Sequence, residues 1–321
     1  MKLITEVALP DYPFSIDHQN SILMMGSCFT ENVGQVLENY LFPICINPFG
    51  ITYNPLSVKK GLEALIDREA YQAKDLDQNQ DLWFSFDHDT GFSSGTPGET
   101  LENINKSFQE GKEALRRAEY LFITWGTAWV FHSRTKGDVV CNCHKIPADQ
   151  FTRSRLSTRE IIQSYEDFLP RLFQFNPKLR IIQTVSPVRH WKDGAHGNQL
   201  SKATLLLAGE ALRESFPEKI FYFPSYEIVM DELRDYRFYA GDMLHTSDQA
   251  IAYIWEKFNR AFLNEKSRKI IGDLEPFLKM RRHRPMNKEG DAYVKMIKTR
   301  KKMQEHLMKK YPDLNWKKLE Q

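Results

Sequence analysis

A doubly wound α/β fold with a mainly parallel sheet is predicted by three observations. Short apolar runs alternate with amphipathic stretches in the order β-α-β-α-β-α-β-α-β-α. The runs end on Gly- or Pro-bearing turns, and no internal repeat or low-complexity linker interrupts the series. The 321 residues are 41% hydrophobic and 27% charged, enough to bury one large core without disulfides or a metal, and unlike disordered, collagen-like or rod-like chains.

Each element has a local reason. Residues 21–25 (SILMM) form an apolar strand closed by Gly26, and Val33, Val36, Leu37, Tyr40 and Leu41 follow at helical spacing. Residues 43–47 are a second short strand, after which Asn54-Pro55 caps a helix through about Asp67. Residues 74–98, polar but carrying Trp83, Phe84, Phe86, His88 and Phe92, leave the repeating pattern. Thr96-Pro97-Gly98-Glu99 is a capping box for a helix to about Ala118. Tyr120 to Trp125 is a strand stopped by Gly126, and residues 129–132 and 138–142 form a small hairpin turning near Lys136-Gly137. Ser157-Thr158-Arg159-Glu160 caps a further helix, ended by Asn176-Pro177. There follow a strand over 179–185, a helix over 201–215, a strand over 219–223, and a helix capped by Thr246 or Ser247 with Ile251, Ile254, Trp255, Phe258 and Phe262 on one side. Residues 1–276 are one domain; beyond Pro276 the composition turns basic, and 277–321 read as a helical appendage.

The net charge of +2 is uneven: residues 281–321 hold 13 Lys/Arg against 5 Asp/Glu, and residues 1–280 hold 31 against 37. Such a tail suits phosphate, an anionic surface or an acidic partner, and a solvated Lys-rich helix gives the same count without any partner. The opening MKLITEVALPDYPF has neither the basic start nor the apolar core of a signal peptide, and no apolar stretch reaches the ~18–20 residues of a membrane span. A cytoplasmic chain is expected. Four cysteines, Cys28, Cys45, Cys141 and Cys143, do not make a disulfide framework. Cys141-x-Cys143-His144 is too tight for a usual zinc turn and has no second ligand pair, so no metal is expected. No phosphate-binding glycine loop is present and no nucleotide cofactor is expected.

In an open parallel sheet, ligands bind beyond the carboxyl ends of the strands. Three features converge there. Ser27 follows the first strand, on a turn that exposes its hydroxyl near the positive end of the next helix. Asp242-Met243-Leu244-His245 precedes the last core helix, a spacing that lets a carboxylate hold the histidine of its own loop. Asn47-Pro48-Phe49-Gly50 follows the second strand, where Gly50 lets a backbone N–H approach a ligand. A turn, a helix cap and a surface imidazole are the plain alternatives for each taken alone.

Gly26-Ser27-Cys28-Phe29-Thr30 closely resembles the signature of the GSCFA family, a branch of the SGNH or GDSL-like hydrolases. The similarity continues in Pro48 to Pro55 (PFGITYNP), Thr124 to Trp129 (TWGTAW), Asn142-Cys143-His144-Lys145 and Ser186-Pro187-Val188-Arg189, over about residues 20–262. The resemblance implies an SGNH-like three-layer fold, Ser27 as nucleophile, Ser27 and Gly50 as backbone donors of the oxyanion hole, and Asp242 with His245 as the rest of a catalytic triad. One block departs: Gly126-Thr127-Ala128-Trp129 stands where the family pattern has Gly-x-Asn-Asp, so Ala128 replaces the amide donor. Such a loss costs about 10²- to 10³-fold in rate, and Asn142, otherwise a turn residue, is the candidate substitute. Cys28 is a weaker nucleophile candidate than its neighbour. Arg189, His190 and His144 are candidate substrate contacts.

A serine hydroxyl is a poor nucleophile near neutral pH and needs an imidazole to take its proton and a carboxylate to orient the ring. The resulting expectation is a serine esterase removing acetyl or another short acyl group from a small-molecule or carbohydrate ester, with no nucleic-acid partner. The alternatives are an O-acyltransferase to a sugar hydroxyl and a non-catalytic binding protein on the same fold, the latter supported by Ala128.

Overall fold

The computed structural model describes residues 4–283 and 291–319. In chain order the elements are β1 (Ile22–Gly26), α1 (Cys28–Asn39), β2 (Ile44–Ile46), α2 (Pro55–Asp67), β3 (Asp77–Asn79), β4 (Leu82–Phe84), α3 (Pro97–Arg117), β5 (Tyr120–Trp125), β6 (Trp129–Ser133), β7 (Val139–Val140), β8 (Phe151–Arg155), α4 (Thr158–Phe175), β9 (Arg180–Val185), α5 (Gly194–Ser215) and β10 (Ile220–Tyr222). A short α6 (Ser225–Glu227) runs on into a π-type turn at Ile228–Glu232, and α7 (Asp248–Phe262), α8 (Glu265–Arg282) and α9 (Asp291–Lys310) follow.

Five strands form one parallel sheet in the order β10-β9-β5-β1-β2, with Ile22 of β1 opposite both Ile44 and Tyr120. Period-two alternation divides their side chains between two helical layers. Leu23, Met25, Leu121, Ile123, Trp125 and Ile181 enter one buried cluster with α2, α3, α4 and α5. Ile22, Met24, Tyr120, Phe122 and Ile182 enter the other with α1, α7, α8 and α9. The doubly wound three-layer expectation therefore holds. Asn54 caps α2 by accepting from the Ser57 N–H at 2.8 Å, and Ser157 and Glu160 cap α4 reciprocally.

The hairpin expected over 129–142 is present as β6 and β7, but β8, which joins it as a third strand, and the β3-β4 pair depart from the sequence reading, which had no strand over 151–155 and only an excursion over 74–98. The helix expected over 201–215 is longer than its sequence reading, because α5 begins at Gly194. The helical appendage expected at the C-terminal end is present as the end of α8 and α9, and no break between elements falls at Pro276. Pro276 lies inside α8, whose Leu274, Phe277 and Leu278 are buried in the second cluster together with Leu307 of α9, Leu314 and Trp316. The part of the appendage expectation that concerns residues 284–290, 320 and 321 lies outside the described residues. Among the described residues no helix is long and apolar enough to cross a membrane.

Candidate active site

Beyond the carboxyl ends of β1, β5 and β9 lies a cavity of about 390 Å³ whose lining includes Ser27, Cys28, Asn142, Arg189, His190 and His245. Ser27 is the N-cap of α1. The sequence placed its hydroxyl on an exposed turn; instead the residue is only 1% exposed, at the floor of the cavity, and its Oγ has no hydrogen-bond partner.

The 242–245 loop stands at the rim. Asp242 Oδ1 accepts from the Leu244 and His245 N–H groups at 2.9 and 3.0 Å, and Oδ2 meets His245 Nδ1 at 2.6 Å. The N–H of His245, its ring, and the N–H of Leu244 hold the Asp242 carboxyl well below the usual carboxylate range. A carboxylate on Nδ1 leaves Nε2 as the proton acceptor of the neutral ring. The Arg189 N–H donates to Leu244 O at 3.3 Å, tying this loop to the segment that follows β9. Ser27 and His245 thus share one cavity without a direct hydrogen bond.

The expected backbone donors are otherwise engaged. The Ser27 N–H donates to Thr124 O at 3.2 Å and the Gly50 N–H to Asn47 O at 2.7 Å. Gly50, at φ +76°, is a glycine because Asp89 crowds it: an added Cβ would lie 2.2 Å from that carboxylate. Asp89 in turn accepts from the Ile51 and Gly91 N–H groups at 2.9 and 2.7 Å. Gly50 is therefore a loop-packing residue, outside the cavity. His144 is corrected likewise: it is buried, stacked on Phe84 at 4.2 Å, with Nε2 against the carbonyls of Ser85 and His88 at 3.0 and 3.1 Å. Asn142 does line the cavity; its Oδ1 accepts from the His144 N–H at 2.9 Å.

Lys202 was missed. Its ammonium is buried on α5 and donates to Gly126 O at 2.6 Å and Ser186 O at 2.7 Å, joining the loops after β5 and β9 beneath the cavity. Burial, with the nearby Arg189 charge, pushes it down to about 7. The signal was in the sequence: Asn198, Ser201, Lys202, Leu205, Ala208, Gly209 and Leu212 share one buried helical face, and a lysine in that phase is placed inward.

His190 occupies the space beside Gly126. A Cβ added to Gly126 would lie 3.3 Å from His190 Nε2 and 3.3 Å from Ser27 Cβ, so the two side chains border one small gap. The His190 N–H donates to Asn198 Oδ1 at 2.9 Å and the ring meets Tyr53 edge to face at 5.9 Å. Burial, then the charges of Lys202, His245 and Arg153, push His190 down to about 4, so it is neutral at physiological pH. The Cys28 thiol is pushed up by burial, which leaves it a weak nucleophile beside Ser27. Among the described residues no cluster of three or more His, Cys, Asp or Glu is arranged to hold a metal ion.

The sequence matches the GSCFA family over residues 21–258, and the chain belongs to that family. Among solved structures it is similar to a candidate platelet activating factor from Streptococcus pneumonia, at 13% identity over 76% of this chain and 84% of that one, with a TM-score of 0.35. It is also similar to an acetyl xylan esterase (Est2A) from the rumen bacterium Butyrivibrio proteoclasticus, at 11% identity over 79% of this chain and 64% of that one, with a TM-score of 0.39. No curated protein matches the chain.

Proposed function

We propose that the protein is a serine acyl-ester hydrolase that removes acetyl or another short acyl group from a carbohydrate-like alcohol. The observation that carries this reading is the unpartnered Ser27 Oγ on the floor of a cavity that also holds His245, itself paired with Asp242 at 2.6 Å. Ser27 Oγ attacks the ester carbonyl carbon while its proton passes to His245 Nε2, and Asp242 stabilises the imidazolium. The tetrahedral intermediate collapses, the C–O bond to the alcohol breaks, and His245 returns the proton to the departing oxygen. Water then repeats the sequence on the acyl-serine, with His245 as base, and releases the acid.

A second reading, O-acyl transfer in which a sugar hydroxyl takes the place of water, is favoured by an adjoining cavity of about 610 Å³ that shares Arg189 with the first and is lined by Trp191, Tyr236 and Asp242. Trp191 and Tyr236 are exposed there, as rings able to stack on a sugar. A panel of p-nitrophenyl acyl esters and acetylated sugars, assayed with and without sugar acceptors, separates the readings. Turnover of short-chain esters without acceptor is expected; turnover only with acceptor assigns transfer, and silence throughout assigns a binding protein.

A further inference from the structure

We infer that the imidazole of His190 is the oxyanion donor that stands in for the amide absent at Ala128, with the developing oxyanion seated in the gap beside Gly126. The inference rests on the reading of Ser27 as nucleophile.

Attack on an ester places negative charge on the former carbonyl oxygen, and a preorganised donor aimed at that point is worth about 10²- to 10³-fold in rate. The backbone around Ser27 is largely committed elsewhere. The N–H groups of Gly126 and Thr127 both donate to Tyr53 O, at 2.7 and 2.9 Å, and that of Ala128 donates to Ser201 Oγ at 2.8 Å. The Ser27 and Gly50 N–H groups have the internal acceptors described above. His190 Nε2 borders the same gap as the Ser27 side chain, and the gap exists because residue 126 has no side chain.

The protonation state fits a donor rather than a base. A ring held near 4 carries one N–H at neutral pH and gives it as a hydrogen bond without surrendering it. The charged groups that act on His190, namely Lys202, Arg153 and His245 when protonated, are cationic, so none favours an imidazolium there. His245, paired with Asp242, has the partner a base needs. In the addition step the Ser27 Oγ–carbon bond forms, the C=O π pair moves to oxygen, the serine proton goes to His245, and His190 contributes only its hydrogen bond. On collapse the pair returns and the alcohol leaves with the proton from His245.

The test compares the wild-type protein with His190→Phe, which keeps a ring against Tyr53 without a donor, and His190→Gln, which restores an N–H. The readouts are p-nitrophenyl acetate kinetics and fluorophosphonate labelling of Ser27. Expected for His190→Phe is a 10²- to 10³-fold fall in kcat with KM changed less than threefold, and for His190→Gln recovery of at least tenfold of that loss. The acidic limb of the kcat/KM profile stays in place for His190→Gln, because the base is another residue. If the wild type labels at Ser27 and turns over while His190→Phe keeps a third or more of kcat, or if His190→Gln moves the acidic limb, the His190 inference alone is overturned. If the wild type neither labels nor turns over, the Ser27 reading fails and this inference falls with it.

Discussion

At the scale of single residues, local chain decides where Ser27, Asp242 and His245 sit: one at a strand-to-helix turn, and a carboxylate three positions before an imidazole in one loop. Gly50 and His144 were misread because their surroundings come from a distant segment, the 74–98 excursion that brings Asp89 against one and Phe84 against the other. Three imidazoles share a consequence of burial. His18, His88 and His190 are pushed down to about 4, 3 and 4, in each case chiefly by desolvation, and both ring nitrogens of His88 lack partners. Each folded-state value lies below the ordinary 6.5, so the unfolded chain binds more protons in the window beneath it. Stability is full above pH 6.5 and falls as pH drops toward 4. Denaturant unfolding at pH 7, 6 and 5 should show a loss of order 1 kcal/mol per group by pH 5. His88→Phe, among the rings of Phe49, Tyr71 and Phe92, should flatten the slope. A pH-independent unfolding free energy over that range would contradict this account of burial.

At the scale of elements, the strands and helices of the central sheet were legible from periodicity and caps, since apolar runs such as 120–125 and caps such as Asn54 and Ser157 are written in contiguous residues. Strand β8 was not: Phe151, Thr152, Arg153, Ser154 and Arg155 bury only Phe151, and the strand exists because β6 pairs with it. The C-terminal helices show the same limit. The helical appendage expected from the basic composition is there, but its packing was not legible: α8 runs through Pro276, and Leu307, Leu314 and Trp316 are seated on the second cluster. Lys318 adds contacts to Glu38 and to Ile44 O on the edge strand β2. Three such buried side chains are worth about 1.5–3 kcal/mol each. Deleting residues 284–321 should therefore lower the unfolding temperature read by calorimetry by roughly 7–13 °C. An unchanged transition would show that these contacts add nothing to the stability of the core.

At the scale of the whole molecule, the fold class and its doubly wound character were legible because strand and helix periods alternate along the entire chain. What the sequence left unread was depth: that Lys202 is closed over beneath the cavity, and that His190 is set so far into the cavity lining that burial lowers it. The central claim is that the chain's first strand and last core helix meet in one catalytic unit. The measurement is a double-mutant cycle on kcat/KM for a short-chain ester, because groups that act together are strongly non-additive while groups that merely cap helices are independent. Ser27→Ala and His245→Ala should each remove nearly all of the serine-dependent rate, the double variant should be little worse than either, and Asp242→Asn should retain more. Losses that multiply in the double variant, or a His245→Ala variant that keeps most of the activity, would contradict the triad.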